Sequence, residues 1–377
     1  MVRTAPPNPP PITGYGYVRP LGAGGFAHVY QYEQDMPRRV VAVKVLEATL
    51  SEPRDRSDFE AEADAMARLS SHPSIVSVYA AGIAADGRPY LAMEYCPDSM
   101  RSRTRGNPAA LDIVLDAGVR LAGALETAHR AGILHRDIKP SNVLITAAGR
   151  PALADFGIST LRGRSSSGSR AQAMSLPWAA PEVVSGTVPG TVGSEIWSLG
   201  ATLYTFAAGH SPFELPDREQ NTQSRMSDRI SRARYTPIAG AKGYGPLDQL
   251  LARAMAPATE GRFSSMRELG EALQRLQREY GFDVTPLDLV DPGWVVPAPS
   301  TGPVADAAGT RGPVVSRVHR TTRAQQRAEL AERQADRDGV VPDRHASPLR
   351  AGLIGAGAAV VVMGGALLLA YALGWIG

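Results

Sequence analysis

The chain has 377 residues, of which 44% are hydrophobic and 20% charged, a balance typical of a folded globular protein that excludes wholesale disorder and a coiled coil. Its single cysteine, Cys96, excludes an internal disulfide framework and any four-cysteine zinc site. A formal net charge of +3 over this length is too small to indicate a nucleic-acid partner.

The first segment, residues 1–13, is rich in proline and predicts an extended, solvated arm. It contains no apolar core of the length that a signal peptide needs. Residues 14–281 follow with alternating apolar runs and then helical periodicity, which together predict the folded unit.

A glycine-rich turn after an expected strand over residues 15–19 is the first candidate site. Its members are Leu21, Gly22, Ala23, Gly24, Gly25, Phe26, Ala27, His28 and Val29. Glycines let the backbone approach phosphate oxygens closely. The same G-x-G-x-x-A pattern would also suit a Rossmann dinucleotide site, with Glu47 in the position of the ribose-binding acid. The following residues favour a β-hairpin that covers phosphates, because residues 29–32 alternate and Pro37 interrupts before a valine-rich run.

Lys44 lies in the second strand of that hairpin, among valines. The chain has only three lysines, Lys44, Lys139 and Lys242, and uses arginine at every other basic position. A lysine here therefore indicates a need for a compact ammonium that reaches two phosphates and one carboxylate. We expect the carboxylate from a helix over residues 58–70, with Glu62 as the first choice and Glu60 as the second.

The strongest signal is HRDIKPSN over residues 135–142, which places six polar or ionisable side chains between two apolar runs. Such a pattern is typical of a loop that performs chemistry. Asp137 and Asn142 can face one reaction centre, where the carboxylate accepts a hydroxyl proton and the amide oxygen holds a metal ion. Asp155 follows a second apolar pair and is the kind of oxygen ligand that Mg²⁺ prefers.

Beyond the folded unit, residues 282–350 are rich in Pro, Gly, Asp and Arg and predict a disordered juxtamembrane linker. Residues 351–376 carry no charge and would form a helix of about 39 Å, enough to cross a bilayer core of about 30 Å. Arg344 and Arg350 precede this span, so the positive-inside tendency predicts a single-pass cell-membrane protein with a cytoplasmic folded unit. Small residues such as Gly352 can pair two spans into a homodimer, although glycine is also common in unpaired spans.

Five motifs, taken in order, resemble the eukaryotic-like (Hanks-type) bacterial serine/threonine protein kinases. They are the glycine-rich turn, VAVK ending at Lys44, HRDIKPSN from His135, DFG from Asp155 and APE from Ala180. The resemblance covers residues 14–281. It implies a two-lobed α+β protein-kinase fold, with a β-rich N-lobe over about 14–95 and a helical C-lobe over about 96–281.

The resemblance also implies that ATP and Mg²⁺, or Mn²⁺ in its place, bind between the lobes. The implied catalytic residues are Asp137 as base, Lys139 beside the moving phosphoryl group, Lys44 on the α- and β-phosphates and Glu62 orienting Lys44. The implied ATP site comprises the glycine-rich turn, Ala42, Lys44, the gatekeeper Met93, Glu94, Cys96, Asn142, Leu144 and Asp155, with Asn142 and Asp155 as metal ligands.

Activation is expected to act through the segment over residues 155–182, where Arg136 is a cation that a phosphorylated hydroxyl can neutralise. The candidate acceptors are Ser159, Thr160, Ser165, Ser166, Ser167 and Ser169. Ser175 has the position of a substrate-platform hydroxyl that contacts the catalytic loop. Glu182 and Arg262 are expected to form a structural ion pair.

Two residues depart from the family pattern. Ala27 replaces the third glycine of the turn and adds one methyl group near the phosphates. Glu195 replaces an aspartate that binds the backbone of the catalytic loop, so its carboxylate must reach from one methylene further away.

The leading hypothesis is a serine/threonine protein kinase in bacterial signalling that transfers the γ-phosphoryl group of Mg-ATP to protein hydroxyls and is activated by autophosphorylation. The alternative is a catalytically weak or inactive kinase-like membrane scaffold, which Glu195 leaves open. A small-molecule kinase is disfavoured, because residues 180–182 end a peptide platform. The expected partners are ATP, protein substrates, the membrane and a second copy of the chain, and nucleic acid is not among them.

Overall fold

The computed structural model describes residues 8–23, 27–47, 53–156, 175–238 and 244–291. Several predictions fall outside these residues: the centre of the glycine-rich turn at 24–26, the activation-segment hydroxyls at 159–169, the linker after 291 and the apolar segment at 351–376. Within the described residues, no helix has the length and apolar character that crossing a bilayer requires.

In the described residues, the first lobe consists of one sheet and one helix. Its elements are β1 (Tyr15–Ala23), β2 (Ala27–Gln34), β3 (Arg39–Leu46), α1 (Pro53–Leu69), β4 (Val78–Ile83) and β5 (Pro89–Glu94). The strands form an antiparallel sheet in the order β1-β2-β3-β5-β4. The predicted hairpin is confirmed, because β2 pairs directly with β3 and Val29 lies opposite Lys44. The Rossmann alternative is wrong, since it needs a helix between these strands.

The second lobe is mainly helical. Within the described ranges, its strands and α-helices are β6 (Asp98–Ser99), α2 (Met100–Thr104), α3 (Leu111–Arg130), β7 (Val143–Ile145), β8 (Pro151–Leu153), α4 (Pro181–Val184), α5 (Val192–Ala208), α6 (Gln223–Ser231), α7 (Gly245–Ala254) and α8 (Met266–Glu279). Strands β6, β7 and β8 form a second small sheet. The predicted two-lobed α+β architecture is therefore confirmed.

Helix α5 is central to the helical lobe, and its sequence defines both of its ends. Thr191 Oγ1 accepts a hydrogen bond from Ser194 N at 3.1 Å, and Ser194 Oγ accepts one from Thr191 N at 2.8 Å. This reciprocal capping satisfies two backbone donors at the start of the helix. The helix ends at Gly209, whose φ of 79° lies in the left-handed region that favours glycine. Between the caps, Trp197 and Phe206 are completely buried, so α5 is anchored in the core along its length.

The folded unit is longer at both ends than the predicted range 14–281. On the N-terminal side, Ile12 is 7% exposed, and the Tyr32 hydroxyl donates a hydrogen bond to a backbone carbonyl of the arm at 2.7 Å. On the C-terminal side, residues 282–291 lie on the helical lobe, and Thr285 is 6% exposed. Neither segment has a periodic apolar pattern, which is why composition alone suggested a solvated arm and a disordered linker.

Candidate active site

Asp137 lies at the centre of a dense hydrogen-bond network. Its Oδ1 accepts hydrogen bonds from Lys139 Nζ at 3.0 Å and Ser175 Oγ at 2.7 Å. Its Oδ2 accepts from Lys139 Nζ at 2.9 Å and Asn142 Nδ2 at 3.1 Å. These contacts fix the carboxylate in one orientation, which is the geometric requirement for a general base.

The backbone of the loop that carries Asp137 is held from two sides. Arg136 N donates to Glu195 Oε1 at 2.6 Å, and Arg136 has a φ of 63°, which a non-glycine residue keeps only when its surroundings impose it. His135 Nε2 donates to Ala154 O at 2.9 Å, and its Nδ1 accepts from Asp137 N at 3.3 Å. Burial lowers the pKa of His135, in agreement with the neutral ring that these two bonds require.

The longer side chain of Glu195 makes a second contact that the sequence did not indicate. Its Oε2 lies 2.6 Å from Nε2 of His129, near the end of α3. Both side chains are buried, at 3% and 7% exposure for Glu195 and His129 respectively. The carboxylate therefore spans from α3 to the catalytic loop, and this bridge accommodates the additional methylene. Nothing in the sequence pairs His129 with Glu195.

Lys44 and Asp155 bring the two lobes together. Lys44 Nζ lies 2.7 Å from Asp155 Oδ1, and the lysine side chain is only 5% exposed. Lys44 comes from β3, whereas Asp155 lies just after β8 and has a φ of 65°. The left-handed backbone at Asp155 is a strained conformation of the kind found at functional sites.

The expected contact between Lys44 and Glu62 stays a prediction. Glu62 lies on the predicted helix, which begins at Pro53, earlier than expected. Lys44 forms an ion pair with Asp155, and because an ammonium has three N–H donors, this pair leaves room for a second carboxylate. Glu62 also lines a cavity of about 310 Å³ between α1 and the loop before Asp137, together with Phe156.

Asn142 and Asp155 have the donor chemistry of a magnesium site. Asn142 Nδ2 donates to the backbone carbonyl of Asp137 at 2.8 Å and to its carboxylate at 3.1 Å, which leaves the amide oxygen as the group able to bind a cation. Mg²⁺ commonly takes one or two protein oxygens and completes its coordination with phosphate and water. The two residues fit that pattern. In the described part of the chain, no cluster of three His, Cys, Asp or Glu forms a separate metal site.

The residues predicted to surround the adenine lie on facing elements. Ala42 and Met93 are opposite each other on β3 and β5 and are 7% and 6% exposed. Four further residues of the predicted ATP site are partly buried and pack against the same core: Leu21, Val29, Cys96 and Leu144. Glu94 ends β5. Burial raises the pKa of the Cys96 thiol to about 12, so the thiol is protonated and unreactive at neutral pH.

The described parts of the glycine-rich turn are the end of β1 and the start of β2. A Cβ at Gly22 would meet no atom within 4 Å, so the backbone there is open to a ligand. Ala27 is 7% exposed. His28 Nε2 lies 2.7 Å from Glu47 Oε1. The acid that the Rossmann alternative assigned to a ribose is thus bound to a neighbouring strand.

The peptide platform is fixed to the helical lobe by Arg262. Its Nη1 and Nη2 donate to Oε1 and Oε2 of Glu182 at 2.6 and 2.9 Å. Burial raises the pKa of Glu182, but the hydrogen bonds and charge of Arg262 outweigh it and hold this pKa below its usual value. Lys139 Nζ also donates to Ser175 Oγ at 2.9 Å, so Ser175 connects the platform to the catalytic residues.

Comparisons with known proteins agree with this geometry. The protein kinase domain family matches residues 15–265. A protein named serine/threonine-protein kinase PknK, from Mycobacterium bovis, is 39% identical over 282 residues, which cover 73% of this chain and 25% of that protein. Serine/threonine-protein kinase PknJ of Mycobacterium tuberculosis is 33% identical over 319 residues, covering 79% of this chain and 49% of that protein.

The fold is also similar to that of a solved kinase domain. The crystal structure of a mutant PknI kinase domain from Mycobacterium tuberculosis is similar with a TM-score of 0.53 and 29% identity, and the match covers 70% of this chain and 96% of that one. The match spans about a quarter of the length of PknK and about half of the length of PknJ.

Proposed function

The chain belongs to the protein kinase family, and from this membership we propose that it is an active enzyme that transfers the γ-phosphoryl group of Mg-ATP to serine and threonine hydroxyls of proteins. One observation carries the proposal. Asp137, Lys139 and Asn142 form a single hydrogen-bonded group. The Lys44–Asp155 ion pair joins the other lobe to that site.

Phosphoryl transfer depends on positioning and charge neutralisation more than on covalent chemistry. Asp137 orients the acceptor hydroxyl and takes its proton at Oδ1, the oxygen that already accepts a hydrogen bond from a serine hydroxyl, that of Ser175. The Lys139 ammonium lies beside both carboxylate oxygens, where it neutralises charge on the transferred group. Asn142 and Asp155 would hold Mg²⁺, which supplies further charge neutralisation to the phosphates when bound.

The test is transfer of labelled phosphate from ATP by the full chain, to itself and to a generic protein substrate, with Mg²⁺ or Mn²⁺. Asp137→Asn is expected to lower kcat by about 10²–10⁴-fold, because a general base contributes about that much. Asp228→Asn, at an exposed position on α6, is the matched control and should leave the rate unchanged. If Asp137→Asn transfers phosphate at the wild-type rate, the role assigned to Asp137 is wrong. A wild type without transfer under either metal would favour the inactive scaffold.

We propose further that activation proceeds by autophosphorylation of one or more hydroxyls among residues 159–169. The support is chemical: Arg136 lies beside the catalytic Asp137, and Ser175 at the end of the same segment is bonded to that carboxylate. Mass spectrometry of wild type and Asp137→Asn, each produced in the same host, tests the idea. Phosphate on these hydroxyls in the wild type alone supports it, and an unphosphorylated, fully active wild type refutes it.

We also propose that residues 351–376 attach the kinase to the cell membrane as a single span, with the catalytic domain in the cytoplasm, and that two spans pair into a homodimer. The absence of any charged side chain in this segment and the arginines before it support the proposal. The full chain should remain in the membrane fraction after alkaline extraction, whereas a chain ending at Arg350 should be released. Equal release of both would contradict anchoring by this segment.

A further inference from the structure

Residues 282–291, which we call the strap, follow α8 and lie beyond the residues that the kinase family matches. Thr285 anchors the strap. Its Oγ1 donates to Asp116 Oδ1 at 2.8 Å and accepts from Gln277 Nε2 at 2.8 Å. Its backbone N–H donates to Gln277 Oε1 at 3.0 Å, and its carbonyl accepts from Gln274 Nε2 at 2.8 Å. Every polar group of Thr285 is therefore bonded to α3 or α8.

Two helices have a glycine at the position where the strap packs against them. A Cβ at Gly123 of α3 would lie 2.4 Å from the carbonyl oxygen of Asp288, and a Cβ at Gly270 of α8 would lie 2.7 Å from Leu287 Cδ1. Glycine in a helix interior is unfavourable relative to alanine, so these positions need a reason. The close approach of the strap backbone supplies it, most strictly at Gly123, where the neighbouring atom belongs to the backbone.

Asp288 connects the strap to residues on either side of the small sheet. Its carbonyl accepts a hydrogen bond from His72 Nε2 at 3.0 Å, and its Oδ2 accepts one from Arg150 Nη2 at 3.1 Å. Arg150 immediately precedes β8. His72, which lies between α1 and β4, is 1% exposed, and its Nδ1 accepts from Ser74 N at 3.1 Å. The ring is thus a neutral bridge with its hydrogen on Nε2.

The segment after His72 is bonded to the other end of β8. Leu153 N donates to Ser74 O at 2.9 Å, and Val76 N donates to Leu153 O at 2.9 Å. Leu153 is the last residue of β8 and lies two residues before Asp155. The strap is therefore connected to the segment that carries Asp155 by two routes: through His72 and Ser74 to Leu153, and through Arg150, which precedes β8.

We propose that Asp288 is a positioning residue for the kinase reaction, which holds β8 at both ends and thereby places Asp155 for magnesium binding. The inference rests on the proposed function. Partners that orient a metal ligand commonly change metal affinity by about 10–100-fold when removed. The strap thus makes the start of the linker a part of the catalytic domain.

Two substitutions at His72 separate its hydrogen bond to the strap, which is made to the carbonyl of Asp288, from its local hydrogen bond with Ser74 N. In His72→Asn the side-chain oxygen can still accept from Ser74 N, but the side chain is too short to donate to the carbonyl of Asp288. In His72→Gln the terminal amide can still donate to that carbonyl. We expect the half-saturating Mg²⁺ concentration of the full chain to rise about 10-fold in His72→Asn and to stay near the wild-type value in His72→Gln.

Gly123→Ala tests the packing of the strap on α3, because the new methyl group displaces the carbonyl of Asp288. Gly245→Ala in α7 is the matched control, since a Cβ there would meet nothing within 4 Å. The second readout is hydrogen–deuterium exchange of residues 151–156 in the full chain without nucleotide or metal. Gly123→Ala and His72→Asn should raise both the exchange rate and the Mg²⁺ requirement, and Gly245→Ala should raise neither.

The outcomes are distinguishable. If His72→Asn and Gly123→Ala fold but leave exchange and Mg²⁺ dependence unchanged, the proposal is wrong. If both variants lower the free energy of unfolding without changing either readout, the strap only stabilises the fold, and the positioning role is again wrong. A variant that does not fold is replaced by Asp288→Asn, which keeps the backbone carbonyl and weakens only the pair with Arg150. If the wild type transfers no phosphate, the proposed function fails, while the exchange experiment still decides whether the strap holds β8.

Discussion

The buried carboxylate of Glu195 binds two partners near the catalytic loop. The Glu195 carboxylate has one oxygen on Arg136 N and the other on His129 Nε2, both at 2.6 Å. A shorter carboxylate at the same backbone position cannot span both partners. The longer side chain that departs from the family pattern is therefore matched by a specific environment, which argues against reading it as the mark of an inactive scaffold.

Glu195→Asp is accordingly expected to destabilise the protein, although it restores the residue typical of the family. One buried partner loses its hydrogen bond, which costs about 1–3 kcal/mol. Urea unfolding followed by fluorescence measures the loss. Glu279→Asp, at an exposed position near the end of α8, is the control and should change stability by less than about 0.5 kcal/mol. An unchanged midpoint for Glu195→Asp would show that the site relaxes around the shorter side chain.

The buried histidines predict a loss of stability in mild acid. Burial lowers the pKa of His72 and of His135. Because the unfolded chain binds a proton near pH 6.5 and the folded chain resists it, their contribution is complete above that pH and is lost as the pH falls below it. The free energy of unfolding should therefore decrease from pH 7 to pH 5.5. His72→Gln should reduce this dependence, and an equal slope in both proteins would contradict the assignment.

At the scale of the elements, helix α5 links stability to catalysis because its first turn carries Glu195. Helix α6 offers a comparison, since Thr222 caps it as Thr191 caps α5. Thr191→Ala and Thr222→Ala should each cost about 0.5–2 kcal/mol of stability. Only Thr191→Ala should also lower kcat, because only α5 supports the catalytic loop. Steady-state rates and urea midpoints for the two variants test this directly, and equal kcat values would show that the cap does not affect the loop.

The elements also show what the sequence can and cannot predict. The β2–β3 hairpin and the loop of Asp137 were predictable, because their residues lie close together in the chain and each motif has a local pattern. The Glu195–His129 contact joins residues 66 positions apart, and the His72–Asp288 contact joins residues 216 positions apart. No periodicity or local propensity encodes such pairs, since they arise only when distant helices pack.

At the scale of the whole molecule, the strap changes where the catalytic domain ends. Composition predicted the boundary at 281, but Asp288 and Thr285 complete the hydrogen bonds of two buried side chains, His72 between α1 and β4 and Gln277 of α8. Leaving a buried donor or acceptor unpaired costs about 1–3 kcal/mol. The few residues after α8 therefore affect stability more than their length and polarity suggest.

This reasoning predicts a sharp difference between two truncated chains. A chain ending at residue 291 should keep the unfolding midpoint of the catalytic domain, whereas one ending at 281 leaves the buried side chains of Gln277 and His72 without their partners on the strap. With a cost of about 1–3 kcal/mol for each such group, the shorter chain should unfold at a markedly lower urea concentration or fail to fold. Circular dichroism during urea unfolding of both chains measures the difference.

Addition of a synthetic peptide of residues 282–291 to the shorter chain should restore part of the lost stability, because the groove at Gly123 and Gly270 is formed by the helices themselves. Identical midpoints for the two chains would place the end of the folded unit at the boundary that composition predicts.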